Sequence, residues 1–221
     1  MSLAVRLRSA VCLLGRYPAL AGADLDVREG EIVLLSGANG AGKTTLLRAV
    51  AGLVPLYSGT GEVLGHDLVR DRRGARRRLA LVGHETFCYD DLTVGENLRF
   101  ASRAAGRPAD AGDAAIERVG LTRQNGVTHG RLSAGQRRRL ALAVALVRQP
   151  DLLLLDEPHA GLDAAGRAVV DAVISAAPSE GRTVVLASHE LDRARALAGR
   201  EVVLSAGRTV AGVVEPELAR A

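Results

Sequence analysis

The sequence has 221 residues, of which 48% are hydrophobic and 24% charged, a balance typical of globular domains and not of disordered or fibrous chains. No apolar run approaches the roughly 18 residues that span a bilayer, and the first ten residues lack the apolar core of a signal peptide, so we expect a cytoplasmic protein. The net charge of +4 could favour nucleic acid, but with 2% aromatic residues and no Trp there are few side chains on which bases could stack, and we expect no nucleic-acid partner.

The first half of the chain predicts two kinds of strand. Leu3 to Val27 is hairpin-like and, with Thr60 to Leu68, predicts an antiparallel layer. Glu31 to Ser36 is a short, β-branched apolar run that predicts a buried parallel strand. A glycine-rich turn follows it, and Lys43 to Ala51 has the spacing of a helix capped by Gly52.

The second half alternates apolar runs with helical patterns. Further strands are predicted at Leu79 to Val82, Leu152 to Leu155, Thr183 to Ala187 and Glu201 to Leu204, and a turn at Ala206 to Arg208 predicts a closing hairpin. Residues 93–147 are rich in Ala, Arg and Leu at helical spacing. We therefore predict one α/β domain over 1–221, in which 1–83 and 149–221 form a mostly parallel core with its β layer and 84–148 forms an inserted helical lobe.

A phosphate-binding loop is predicted between the Glu31 to Ser36 strand and the helix after it. GANGAGKT, from Gly37 to Thr44, fits the pattern G-x-x-x-x-G-K-[ST] in the strand–loop–helix context that the pattern requires. The chain has 28 arginines and a single lysine, Lys43, which suggests chemistry that needs a compact ammonium. Lys43 is expected to bridge the β- and γ-phosphates and Thr44 to bind Mg²⁺. The candidate nucleotide-binding residues here are Gly37, Ala38, Asn39, Gly40, Ala41, Gly42, Lys43, Thr44 and Thr45.

Two carboxylates follow the strand predicted at Leu152 to Leu155. Ligands of open α/β sheets lie beyond the carboxyl ends of the strands, so Asp156 is predicted to join the Mg²⁺ shell and Glu157 to polarise the attacking water. The alternative is that these acids cap a helix or face solvent.

Three further motifs complete a pattern. LSAGQ, from Leu132 to Gln136, resembles the ABC signature, usually LSGGQ, although Ser133 would also suit a helix cap. Ala160 to Asp163 resembles the D-loop, and Ser188-His189 resembles the H-loop. In this order the motifs make essentially the whole chain resemble the ATP-binding subunit of ABC transporters.

The resemblance implies a P-loop NTPase with a RecA-like core that hydrolyses ATP with Mg²⁺ as a head-to-tail dimer, either of two copies or with a relative. Ser133, Gly135, Gln136 and Asp163 would then be nucleotide-binding residues, with Ser133 and Gly135 acting on the ATP of the partner copy. His189 would contact the γ-phosphate, and Lys43, Glu157 and His189 would be the catalytic residues. The resemblance also implies an integral membrane permease as partner, which would hold the subunit at the inner face of the cell membrane.

The chain departs from the family pattern at two places. Where most members have the Q-loop glutamine, this sequence has His84 and Glu85, and either could take that role. The aromatic residue that stacks on adenine has no clear counterpart, since Leu14 is near its position and Tyr17 lies three residues later.

The G-H-E segment, LSAGQ and the missing aromatic residue together resemble the ATPase of haem exporters used in cytochrome c maturation. A small drug or peptide exporter is the alternative. A soluble ABC ATPase and a non-hydrolysing switch are disfavoured, the second because Glu157 is present.

Three further features of the sequence carry expectations of their own. Phe87, Tyr89 and Phe100 either line a groove for a helix of the permease or pack in the helical lobe. Cys12 and Cys88 are predicted to be buried, reduced thiols. The basic run RDRRGARRR, residues 70–78, is interpreted as a solvated face, with anionic lipid contact as the alternative.

Overall fold

Two β-sheets and a set of helices make up the computed structural model, which describes residues 2–83, 85–108 and 110–214. The strands are β1 Leu3–Leu14, β2 Tyr17–Arg28, β3 Ile32–Ser36, β4 Ser58–Val63, β5 His66–Asp67, β6 Leu79–Val82, β7 Leu152–Asp156, β8 Thr183–Ala187, β9 Arg200–Ser205 and β10 Arg208–Val214. The α-helices are α1 Lys43–Val50, α2 Val94–Ala104, α3 Ala111–Arg118, α4 Ala134–Val147, α5 Ala164–Ala176 and α6 Leu191–Leu197.

The central sheet has the strand order β10-β9-β3-β8-β7-β6. Its pairs are parallel except for the β9–β10 hairpin. Every residue of β3 and β8 is buried, as expected for strands covered on both faces. The predicted mostly parallel α/β core of a P-loop NTPase is confirmed.

A second, antiparallel sheet has the order β2-β1-β4-β5. Alternate residues of β1 and β2 point into a core shared with α1, where Leu7, Leu20 and Leu46 are fully buried. Burying each leucine stabilises the folded state by about 1.5–3 kcal/mol. This sheet therefore packs stably on one face of the central sheet. The predicted β layer is confirmed.

Three helices, α2, α3 and α4, pack together between β6 and β7 in the chain. Their shared core includes Leu98, Ile116 and Leu140. α2 and α4 each begin with a capping box, in which Thr93 and Ser133 are the cap residues. The structure therefore contains the helical insertion that the sequence predicts.

Smaller expectations have mixed outcomes. α1 ends one residue earlier than predicted, with Ala51 and not Gly52 as its cap; Gly52 follows with a φ of +67°. Cys12 is buried as predicted, but Cys88 is only partly buried, and both thiols are free. Within the described residues, no helix is both long enough and apolar enough to cross a membrane.

Candidate active site

The loop between β3 and α1 has a backbone that only glycine readily allows. Gly37, Gly40 and Gly42 have φ values of +136°, +78° and +106°. A Cβ atom on Gly37 would lie 2.1 Å from the Leu204 carbonyl oxygen of β9. α1 begins immediately after Gly42, and no side chain of the described residues caps it. Its first backbone N–H groups are therefore available to an anion.

Lys43, the single lysine, is folded back over this loop. Its Nζ donates hydrogen bonds to the carbonyl oxygens of Gly37 at 2.7 Å and Ala38 at 3.1 Å, and the residue is only 8% exposed. The ammonium is thus held among the loop's backbone groups, where phosphate oxygens would replace carbonyl oxygens as its partners.

Glu157 lies directly after β7 in a strained backbone conformation. Its φ is +53°, and its N–H donates to the Ala187 carbonyl oxygen at 2.8 Å. Its Oε2 accepts hydrogen bonds from the backbone N of His189 at 3.1 Å and from His189 Nδ1 at 2.7 Å. The structure therefore brings together the two residues that the sequence predicts as water-polarising carboxylate and switch histidine.

A cavity of about 870 Å³ joins the loop to the end of β7. This is within the usual volume of small-ligand sites. Its lining includes Asn39, Gly40, Gly42, Lys43, Thr44, Thr45, Asp156 and Glu157. Most of the phosphate-loop residues predicted from the sequence therefore face one space together with both carboxylates.

The oxygen donors in this cavity fit Mg²⁺. Thr44 supplies a hydroxyl and Asp156 a carboxylate, and Mg²⁺ is commonly held by one or two protein oxygens together with substrate phosphates and water. No cluster of three or more His, Cys, Asp or Glu residues suited to a metal occurs in the described part of the chain. The donor set fits an ion shared with a phosphate ligand better than one enclosed by protein.

The cavity lining also includes residues near the two positions at which the sequence departs from the family pattern, the adenine-stacking position and the Q-loop position. Leu14 lines it, whereas Tyr17 is 81% exposed and lies outside it. Glu85 also lines the cavity. His84, the alternative for the Q-loop position, lies outside the described residues.

The four predicted nucleotide-binding residues outside the phosphate loop do not line this cavity. Ser133 and Gln136 form the reciprocal cap of α4, with Ser133 Oγ accepting from Gln136 N at 3.2 Å. Asp163 caps α5 by accepting from Gly166 N at 2.7 Å. Gly135 packs against the D-loop, where an added Cβ would lie 3.3 Å from Leu162. These four residues therefore lie at the starts of α4 and α5, outside the cavity that the phosphate loop lines.

Arg138 is a residue at this site that the sequence analysis did not single out. Its Nη2 donates to the Asp156 carbonyl oxygen at 2.7 Å and to the Glu157 carbonyl oxygen. Burial lowers the pKa of its guanidinium, and the Asp156 and Glu157 carboxylates offset part of that change. In the sequence it is one of three consecutive arginines, and nothing local distinguishes it from Arg137 or Arg139.

The three aromatic residues after the Q-loop position lie at the surface. Phe87 is 76% exposed, and Tyr89 and Phe100 are about half exposed, with their rings edge to face at 5.1 Å. None of the three belongs to the buried core of the helical lobe, so the core-packing alternative is wrong. They line a groove of about 610 Å³ together with Arg77, Arg107 and Arg148.

His129 was also missed, although it holds the loop that carries this groove. It is 4% exposed, with Nδ1 2.6 Å from Asp90 Oδ1 and Nε2 3.2 Å from Thr86 Oγ1. Asn97 holds the same loop through hydrogen bonds with the Tyr89 backbone N and O. A buried histidine and a buried asparagine thus attach the loop to the helical lobe, and no sequence pattern marks either of them.

Comparisons with known proteins agree with this geometry. Residues 20–160 match the family model described as ABC transporter. The cytochrome c biogenesis ATP-binding export protein CcmA of Bordetella bronchiseptica is 41% identical over 181 residues, which are 80% of this chain and 80% of that protein. The daunorubicin resistance ATP-binding protein DrrA3 of Streptomyces coeruleorubidus is 38% identical over 208 residues, 92% of this chain, and the chain spans 66% of that protein's length. A solved dimeric ATP-binding cassette, bound to ADP and Pi, shares the fold with a TM-score of 0.87 at 24% identity, over 96% of this chain and 98% of that one.

Proposed function

Because the chain belongs to the ABC transporter family as an ATP-hydrolysing subunit, we propose that it drives transport through an ATP-dependent, head-to-tail dimer. This proposal rests on one observation: the predicted site residues of one chain lie in two separate places. Lys43, Asp156 and Glu157 line one cavity, whereas Ser133 and Gly135 lie outside it. Each chain therefore supplies half of two composite sites.

ATP binds with its phosphates in the loop between β3 and α1. The free N–H groups at the start of α1 contact the phosphate oxygens, and Lys43 exchanges its two carbonyl partners for the β- and γ-phosphates. Thr44 and Asp156 would hold Mg²⁺, which would supply positive charge to neutralise the phosphates. Leu14 is the wall against which adenine lies.

Glu157 acts on the attacking water. Its carboxylate lines the cavity and accepts the water proton as hydrolysis proceeds. His189 holds the carboxylate through two hydrogen bonds, and a His189 ring nitrogen not used in that contact reaches the γ-phosphate. Both residues are thus oriented by one another before water arrives.

Ser133 and Gly135 complete the site of the partner copy. The start of α4 presents a hydroxyl and backbone N–H groups to the γ-phosphate across the dimer. Bound ATP then holds the two copies together, and loss of the γ-phosphate releases them. The difference in free energy between the two states moves a membrane permease between inward-open and outward-open forms.

The permease binds in the groove of Phe87, Tyr89 and Phe100. Three arginines, Arg77, Arg107 and Arg148, line the same groove, so a permease helix with apolar side chains and a nearby carboxylate complements it. This partner places the subunit at the inner face of the cell membrane.

Haem export for cytochrome c assembly is the transport that we propose first. Its support is the match with CcmA, which covers 80% of each chain, together with the G-H-E segment and LSAGQ. Drug export is the second candidate, favoured by the match with DrrA3 over 92% of this chain.

The dimer mechanism is tested with Glu157→Gln. This variant keeps an oxygen that can accept from His189 but cannot take a proton, so its kcat should fall about 10²- to 10⁴-fold. Sedimentation velocity should show a dimer with ATP and Mg²⁺ and a monomer without ATP. Adding Ser133→Arg should abolish the dimer while fluorescent ATP still binds, and Glu62→Gln on the antiparallel sheet should behave as wild type. If Glu157→Gln stays monomeric at saturating ATP, the mechanism is wrong.

The cargo is tested in gently solubilised membranes. The integral protein that co-elutes with the chain is identified, and the ATPase rate of that complex is measured with haemin and with an anthracycline. A response to haemin supports haem export, and a response to anthracycline alone replaces it with drug export. No response to either compound would overturn both.

A further inference from the structure

Helix α4 contacts two different parts of the catalytic machinery. Its first residues include Gly135, which rests on the D-loop and, in the proposed dimer, faces the ATP of the partner copy. Less than one turn later, Arg138 reaches back into its own chain and donates to the carbonyl oxygens of Asp156 and Glu157. One short stretch of helix therefore touches both composite sites.

We propose that Arg138 is a positioning residue that couples the two ATP sites. It holds the Glu157 backbone, and its own position depends on whether α4 of the same chain contacts the partner's nucleotide. The inference rests on the proposed head-to-tail dimer. It adds to that mechanism a residue through which occupancy of one site changes the rate at the other.

The backbone of Glu157 needs such support. A φ of +53° is strained for a residue with a side chain, and such conformations persist only where surrounding contacts hold them. Here the N–H is held by Ala187 of β8, the carboxylate by His189 and the carbonyl by Arg138. Of these three contacts, only the one from Arg138 comes from the helix that carries the signature residues.

The contact is suited to transmit a small movement. Ser133 and Arg138 are separated by about 7.5 Å of helix at a rise of 1.5 Å per residue, so α4 moves as a rigid unit over that distance. A guanidinium that donates to two successive carbonyl oxygens fixes the peptide between them in both position and orientation. A shift of about 1 Å in the position of a catalytic group can change a rate 10²-fold.

Arg139 provides a matched control on the same helix. It also donates to two successive backbone carbonyl oxygens, those of Val119 and Gly120, at 2.8 and 3.1 Å. Those residues follow α3 and do not line the ATP cavity. Replacing either arginine by methionine removes a similar charge, a similar volume and two similar hydrogen bonds, but only Arg138→Met frees the Glu157 carbonyl.

The experiment compares the ATPase of Arg138→Met, Arg138→Lys and Arg139→Met with wild type over a range of ATP concentrations. For Arg138→Met we expect kcat to fall about 10- to 100-fold, KM to stay within about threefold, and the Hill coefficient, above 1 in wild type, to approach 1. Arg138→Lys can still donate to one carbonyl and should recover part of kcat. Arg139→Met should keep the wild-type kcat and Hill coefficient.

Two further measurements separate this inference from folding and from the dimer mechanism. Melting temperatures of the two methionine variants should agree, and Glu157→Gln with Arg138→Met should still dimerise with ATP. If Glu157→Gln dimerises but Arg138→Met matches Arg139→Met in kcat and Hill coefficient, Arg138 does not couple the sites. A wild-type Hill coefficient of 1 would also overturn the proposal. If Arg138→Met does not fold, an Arg138→Lys variant with the wild-type Hill coefficient would overturn it instead.

Discussion

A methyl group added at the start of the phosphate loop should destabilise the protein through a single backbone contact. Gly37 directly follows β3 and has a φ of +136°. The Cβ of Gly37→Ala would lie 2.1 Å from the Leu204 carbonyl oxygen and 3.4 Å from the Ala41 side chain. The carbonyl belongs to a paired strand of the central sheet, so it cannot rotate away as a flexible side chain would.

The magnitude follows from two separate costs. A side chain at a φ that favours glycine costs roughly 1–2 kcal/mol, and forcing an extra carbon into a packed site costs roughly 1–3 kcal/mol. The sum, about 2–5 kcal/mol, corresponds to a fall in Tm of roughly 4–20 °C for a chain of this size. Because the Leu204 carbonyl is held in the sheet, the contact must displace Gly37 and with it the phosphate loop. ATP affinity should therefore fall as well.

Gly30→Ala, at the other end of β3, isolates the first cost. Gly30 has a φ of +76°, and an added Cβ would meet nothing within 4 Å. Urea unfolding followed by circular dichroism should show a loss of roughly 1–2 kcal/mol for Gly30→Ala, with unchanged binding of fluorescent ATP. Equal losses for the two variants, or normal ATP binding by Gly37→Ala, would refute the steric argument.

Three further outcomes are expected. His129→Ala should lower the free energy of unfolding by about 2–4 kcal/mol, and His129→Asn by less because its amide can still donate to Asp90; urea unfolding measures both. Burial raises the pKa of Cys88 to about 11, so iodoacetamide should modify it at pH 8 roughly 100-fold more slowly than a free thiol, with a rate that rises up to about pH 11. The hydrogen bond from Arg195 lowers the pKa of Glu201 in the folded protein. The ion pair therefore stabilises the protein fully above the pKa of an unfolded carboxyl group, about 4.3. That stabilisation is lost as the pH falls through the lower pKa of the folded state. Arg195→Met should therefore lower the free energy of unfolding at pH 7 and have much less effect at pH 3, measured by urea unfolding.

Each of these expectations has a clear contrary result. Identical losses for His129→Ala and His129→Asn would remove the hydrogen bond to Asp90 as the cause. Fast alkylation of Cys88 at pH 8 would mean that the thiol is not held in an apolar setting. A cost of Arg195→Met that is independent of pH would assign it to packing of the arginine stem instead of to the ion pair.

Apolar runs and glycine patterns predict most of the fold. Leu79–Val82 and Thr183–Ala187 mark their strands to the residue, because a strand buried on both faces must be almost wholly apolar. The loop from Gly37 to Thr44 was predicted because its backbone conformations and its chemistry both restrict the residue types. Such features are local, so the sequence displays them directly.

Features that depend on contacts across the fold were not predicted. Arg138 and Arg139 are adjacent and identical in type, and only the packing of α4 sends one to the Glu157 carbonyl and the other to Val119. His129 is likewise held by Asp90, a partner distant in sequence. The packing alternative for Phe87 was open because the sequence does not show which side of a loop faces solvent.

The strand order has a consequence for synthesis on the ribosome. β3, which leads into the phosphate loop, pairs only with β8 and β9 within the described sheet, so its neighbours begin at Thr183 and Arg200. A nascent chain that ends before β8 therefore has no strand with which to pair β3, and such distant pairing is slow. ATP should not be able to stabilise shorter nascent chains. Both hydrophobic cores include residues of β8, such as Val184 and Val185, so the apolar faces of the β layer and the helical lobe also stay partly uncovered until that strand is made.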